Sequence, residues 1–80
     1  MKIPDKKDVV LSFHGSINLL RPESEQARAW IDEHVGEEAQ FFGDDLAVEP
    51  RFAAAIVQGM TDDGLNVFTE DGGYVASVNL

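Results

Sequence analysis

Ser16-Ile17-Asn18-Leu19-Leu20-Arg21-Pro22-Glu23-Ser24-Glu25-Gln26-Ala27-Arg28-Ala29-Trp30-Ile31-Asp32-Glu33-His34-Val35-Gly36 changes its hydrophobic period halfway along. Up to Leu20 it has the partial alternation of a strand, and Arg21-Pro22 reads as the stop. Beyond Pro22, Ala27, Trp30, Ile31 and Val35 recur at helical spacing and make one apolar stripe. Ser24 is placed to accept an orphan amide of the first turn, and Glu25 favours the positive helix end. Gly36 is the expected left-handed stop. The stretch therefore predicts a strand over about 16–20 and a helix over about 24–35.

The same reading extends outward. Val9-Val10-Leu11-Ser12-Phe13 is apolar and β-branched enough for a buried strand. His14-Gly15 interrupts it, leaving one bulged strand or two strands with a tight turn. Gly43-Asp44-Asp45 is turn chemistry, across which two short strands over about 39–42 and 46–48 can pair. Pro50 suits a first helical turn, and Phe52, Ala53, Ile56, Val57 and Met60 form a second stripe. This predicts a helix over about 50–62, with Gly64 closing it. Leu65–Thr69 and Tyr74–Val78 read as strands joined by Glu70-Asp71-Gly72-Gly73. The order of elements implies a single domain over 1–80 of α/β (α+β) class: a two-layer sandwich, two helices packed on one face of a small mixed β-sheet.

Composition narrows the function classes. With no cysteine in its 80 residues, the chain has neither a disulfide framework nor a thiolate metal site. Its first residues lack the apolar core of a signal peptide, and no apolar run approaches the ~20 residues of a membrane span. A protein of the bacterial cytoplasm is the expectation. Neither His14 nor His34 has a metal-ligand partner at helical spacing, so no metal and no cofactor are expected. Asp62-Asp63-Gly64 lacks the ligand pattern of a calcium loop and reads as a helix exit. No serine lies in a nucleophile elbow and no glycine-rich loop cradles phosphate, so no enzyme is expected.

Charge carries more information. Fifteen acids against six bases give −9. Residues 1–31 hold four acids and five bases, whereas residues 32–71 hold eleven acids and only Arg51. Such a field repels nucleic acid and anionic membranes and steers basic partners inward. The acids gather at turns and helix exits. A carboxylate at the negative end of a helix costs about 0.3–1 kcal/mol. If both helices cross between parallel strands, their exits emerge at one sheet edge. Asp32, Glu33, Glu37, Glu38, Asp62 and Asp63 then share a rim, joined by Asp5 and Asp8. With Asp44, Asp45, Glu70 and Asp71 these are the candidate partner-binding residues. The bland alternative is a solvated acidic surface, screened over ~8 Å at physiological salt.

Leu19-Leu20-Arg21-Pro22 through Ala29-Trp30-Ile31, then Ala39-Gln40-Phe41-Phe42-Gly43, Val48-Glu49-Pro50-Arg51-Phe52 and Gly59-Met60-Thr61-Asp62-Asp63-Gly64-Leu65, resembles a group of small proteins of proteobacteria and their mobile elements. The likeness covers about residues 16–68, and the group carries no catalytic motif to transfer. In size, acidity and lack of a catalytic site the chain is also similar to phage-encoded anti-CRISPR proteins. That resemblance implies an inhibitor mimicking DNA charge, with a basic nucleic-acid-binding protein such as a CRISPR effector as partner. The second expectation is a small regulatory or antitoxin-like module using an apolar face, binding tightly without salt dependence or pairing with itself. A monomer or weak homodimer fits either.

Overall fold

The computed structural model describes residues 4–35 and 40–75. β1 (Val9–His14) and β2 (Ile17–Pro22) form an antiparallel hairpin that pairs Val9 with Pro22 and His14 with Ile17. Of the two alternatives for this region, the ladder selects two strands. Gly15 turns the chain at φ 66°, a left-handed conformation open to glycine at little cost. Pro22 does not stop the strand but is its last paired residue. The ladder to the next strand covers only Asn18–Leu20, so the missing amide of Pro22 breaks no bond there.

Helix α1 (Glu25–His34) begins as its sequence predicts, with the Ser24 hydroxyl accepting from the Ala27 amide at 3.1 Å. The hairpin β3 (Gln40–Phe42) and β4 (Asp45–Val48) turns on Gly43 at φ 60°. α2 (Pro50–Asp62) starts on Pro50 and exits through Gly64 at φ 89°. β5 (Val67–Thr69) is shorter than its pattern suggested because its first two residues have other duties. The Leu65 amide satisfies the Met60 carbonyl at the helix end, and the Asn66 amide is held by Asp8. β6 is seen over Tyr74–Val75; the remainder of the strand expected to 78 lies outside the described residues.

The sheet order is β3-β4-β2-β1-β5-β6. β1 and β5 pair in parallel and every other neighbour is antiparallel, a mixed sheet as expected. Val9, Leu11, Leu20, Leu46 and Val67 line one face of it, and Ala27, Ile31, Ala53, Val57 and Met60 of both helices cover them. Burial of a side chain the size of Leu20 or Leu46 stabilises the fold by about 1.5–3 kcal/mol. This is the two-layer α/β arrangement read from the sequence.

The helix connections bear on where the exits lie. Each helix does link strands of like direction, α1 from β2 to β3 and α2 from β4 to β5. But β2 and β4 are antiparallel, so the two connections run in opposite senses along the sheet. The exits meet nonetheless: His34, the last residue of α1, lies 3.6 Å from Asp63 at the exit of α2.

Candidate partner-binding surface

The carboxylates fall into distinct groups with different chemistry. Asp8, assigned to the acidic rim on sequence, is only 3% exposed. One carboxylate oxygen accepts from the Ser24 hydroxyl at 2.7 Å, and the other from the Asn66 amide at 2.8 Å. Lys6 Nζ lies 3.5 Å away. Burial pushes this carboxyl up, but the Asn66 amide, the Ser24 hydroxyl and the Lys6 charge outweigh it and hold it below the usual value. Asp8 thus ties the start of β1 to the cap of α1 and the entry of β5. It is a structural acid, unavailable to a partner.

Asp63, at the exit of α2, stays exposed but is hydrogen-bonded to the other helix. Trp30 Nε1 donates to its Oδ2 at 2.7 Å, and His34 Nε2 lies 3.6 Å from the same oxygen. The His34 ring stacks on Trp30 at a centroid distance of 4.2 Å, and its Nδ1 meets the Trp30 carbonyl at 2.9 Å. A carbonyl can only accept, so Nδ1 carries the hydrogen, and Nε2 donates to Asp63 only as imidazolium. The contact lays the exit of α2 beside the second half of α1, as far as its last residue. Gly59 makes room, since a Cβ there would stand 3.0 Å from the Trp30 ring.

Asp45 is also internally matched. Arg21 Nε donates to it at 2.9 Å across the sheet, and the Asp45 side chain is only 14% exposed. Asp71 accepts from Thr69 Oγ1 and from the Gly73 amide in the β5–β6 turn, and these bonds lower its carboxyl below the ordinary range. Glu70, beside it, is exposed. Asp62 accepts from Gln58 at 2.8 Å and otherwise faces solvent. Asp32 and Glu33 are exposed on α1, away from the buried Ala27–Ile31 stripe. Asp32 and Asp44 border one cavity of about 290 Å³ with Arg28 and Phe41. Glu37 and Glu38 lie outside the described residues. Of the candidate acids that are described, Asp32, Glu33, Asp44, Asp62 and Glu70 are exposed with no ion pair, and Asp63 and Asp71 are exposed as well but hold hydrogen bonds within the chain.

The sequence reading allowed for an apolar face but named no residues for it. Phe13, Phe41, Phe42 and Phe52 are 64%, 47%, 62% and 50% exposed. Consecutive Phe41-Phe42 was the available signal, because successive strand residues point to opposite faces and only one can meet the core. A groove of about 560 Å³ runs beside α2, lined by Val35, Leu46, Val48, Phe52 and Ile56 with Glu49 at its margin. Among the described residues no group of three or more His, Cys, Asp or Glu could hold a metal ion, and no buried side-chain polar atom lacks a partner. No helix is long and apolar enough to cross a membrane.

No family model, no curated protein and no solved structure matches the chain.

Proposed function

We propose that this protein is a non-catalytic inhibitor of the bacterial cytoplasm that offers its acidic helical layer to a basic, nucleic-acid-binding surface. A CRISPR effector is the partner the anti-CRISPR resemblance implies. The observation that carries the reading is the state of Asp32, Glu33 and Asp62. All three are exposed on the two helices, and none has a cation within ion-pair distance among the described residues. Among the described residues Lys6 lies at Asp8, Arg21 on Asp45, Arg51 on Glu49 and Lys7 over the Phe68 ring, while Arg28 is exposed on α1 one turn before Asp32 without an ion pair. Free carboxylates on a rigid layer can replace phosphates at a Lys/Arg groove, and the same counterions leave that groove in both cases.

The experiment is competition. An effector's binding to its target DNA is titrated with this protein at about 50 and 200 mM salt. Inhibition is expected to weaken as salt rises and to vanish in the triple variant Asp32→Asn, Glu33→Gln, Asp62→Asn. Asp63 is left intact because it holds Trp30. Undiminished inhibition by the triple variant ends the proposal.

The regulatory, antitoxin-like reading is favoured by a different observation, the exposed phenylalanines. It requires binding that is indifferent to salt and lost on Phe52→Ser.

A further inference from the structure

Among the described residues, Asp8 and Asn18 are the buried polar side chains. Asp8 is engaged by Ser24 and Asn66, whereas the amide of Asn18, a residue only 6% exposed, makes no hydrogen bond to any described residue. No polar side-chain atom sealed from solvent lacks a partner, so the Asn18 amide opens on accessible space. That space is an open cavity of about 240 Å³ between the turn end of the β1–β2 hairpin and the first two turns of α2. Leu11, Phe13, Pro50, Ala54 and Val57 border it with Asn18.

Local structure explains why the cavity exists. Asn18 pairs with Phe13 on one side and Val48 on the other, and alternation turns it with Leu20 to the helix side of the sheet. There α2 offers Ala53 and Ala54, whose side chains are too short to fill the space. Phe13, on the same face and 64% exposed, stands at the mouth. An unpaired amide among apolar neighbours weakens a fold, and leucine, close to asparagine in size, would suit the position better. Sequences depart from such local rules mainly where a site requires it.

The lining identifies the ligand class. No charged residue borders the cavity among the described residues, so it suits a neutral molecule. A primary amide presents a donor and an acceptor side by side, and its natural partner is a group of the same kind. A cavity of roughly 150 Å³ takes benzene, so this one has room for a single ring with a substituent. It lies below the roughly 300 Å³ at which larger ligands begin to fit.

We propose that this cavity binds a small neutral ring compound bearing a carboxamide or lactam. Asn18 hydrogen-bonds the amide group, and Leu11, Phe13, Pro50 and Val57 enclose the ring. None of these residues is acidic, and the inference does not rest on the proposed inhibitory role.

Benzamide is the probe, followed by chemical shifts of the full chain, with toluene as a ring that cannot hydrogen-bond. A molecule of about nine heavy atoms supports a Kd on the order of 1 mM. Benzamide should shift the backbone amides of Leu11, Asn18 and Ala54 and the side-chain NH2 of Asn18. Asn18→Leu, folded by circular dichroism, should lower the ratio of benzamide to toluene affinity about five- to tenfold, the worth of a hydrogen bond. If Asn18→Leu rearranges the hairpin, Ala54→Leu, which fills the cavity from the helix, tests the same site and should abolish the shifts. No saturable shift at these residues up to about 5 mM benzamide would overturn the proposal. So would shifts confined to Phe41, Phe42 and Phe52, an affinity ratio that a folded Asn18→Leu leaves unchanged, or binding that survives Ala54→Leu.

Discussion

The indole nitrogen of Trp30 donates to Oδ2 of Asp63 at 2.7 Å, joining two helices through residues 33 positions apart. By its place at a helix exit Asp63 is unfavourable, since the last turn of α2 contains no basic residue to offset it. The contact across to α1 supplies what the local sequence lacks. An acid that looks like surplus charge is therefore part of the helix–helix packing.

Replacing Asp63 by Ala removes the acceptor of a partly exposed bond and should cost about 0.5–1.5 kcal/mol. Asp63→Asn keeps an oxygen for the indole and loses only the ionic contact with His34, so its cost should be smaller. Urea unfolding followed by fluorescence checks both, because Trp30 is the chain's single tryptophan. Equal costs for the two variants would assign the contribution to charge instead of the hydrogen bond.

Gly59 offers a sharper probe of the same contact. Alanine in a helix interior ordinarily gains about 0.5–1 kcal/mol over glycine. Here the new Cβ would stand 3.0 Å from the Trp30 ring, which Asp63 and His34 hold in place. Gly59→Ala alone should therefore destabilise the protein. In a Trp30→Phe background the obstructing ring atoms are gone, and the same substitution should stabilise by the ordinary amount. A double-mutant cycle reads the coupling directly.

Asp8 governs the response to acid. Its folded carboxyl lies below its unfolded value, so its stabilisation is fully present above about pH 4 and is lost as pH falls through the folded value. Asp8→Ala leaves the Ser24 hydroxyl and the Asn66 amide without their acceptor and should cost about 2–3 kcal/mol at neutral pH. Chemical unfolding at neutral pH and near pH 3 should show wild type losing more stability than Asp8→Asn over that interval. Parallel losses would mean that other carboxylates carry the acid sensitivity.

Much of the fold was legible because its signals are local. A helix start is a hydroxyl three residues from the amide it satisfies, as in Ser24 and Ala27. A turn is a glycine where φ is positive, as at Gly15, Gly43 and Gly64. Period two against period 3.6 separates β2 from α1 within one stretch of chain. These relations involve neighbours, so composition and spacing alone determined the elements, the two-layer class and the excess of acid after residue 31.

Tertiary structure alone decided what each acid does. Asp8, Asp45 and Asp63 are chemically alike and all lie at element boundaries in the sequence. Only chain closure puts Asn66 at Asp8, Arg21 at Asp45 and Trp30 at Asp63, over separations of 58, 24 and 33 residues. The pairing of β2 with β4 and the meeting of the two helix exits were equally out of reach. Both depend on strand order, and strand order is set by which buried faces fit together, a choice that the spacing of residues along the chain does not encode.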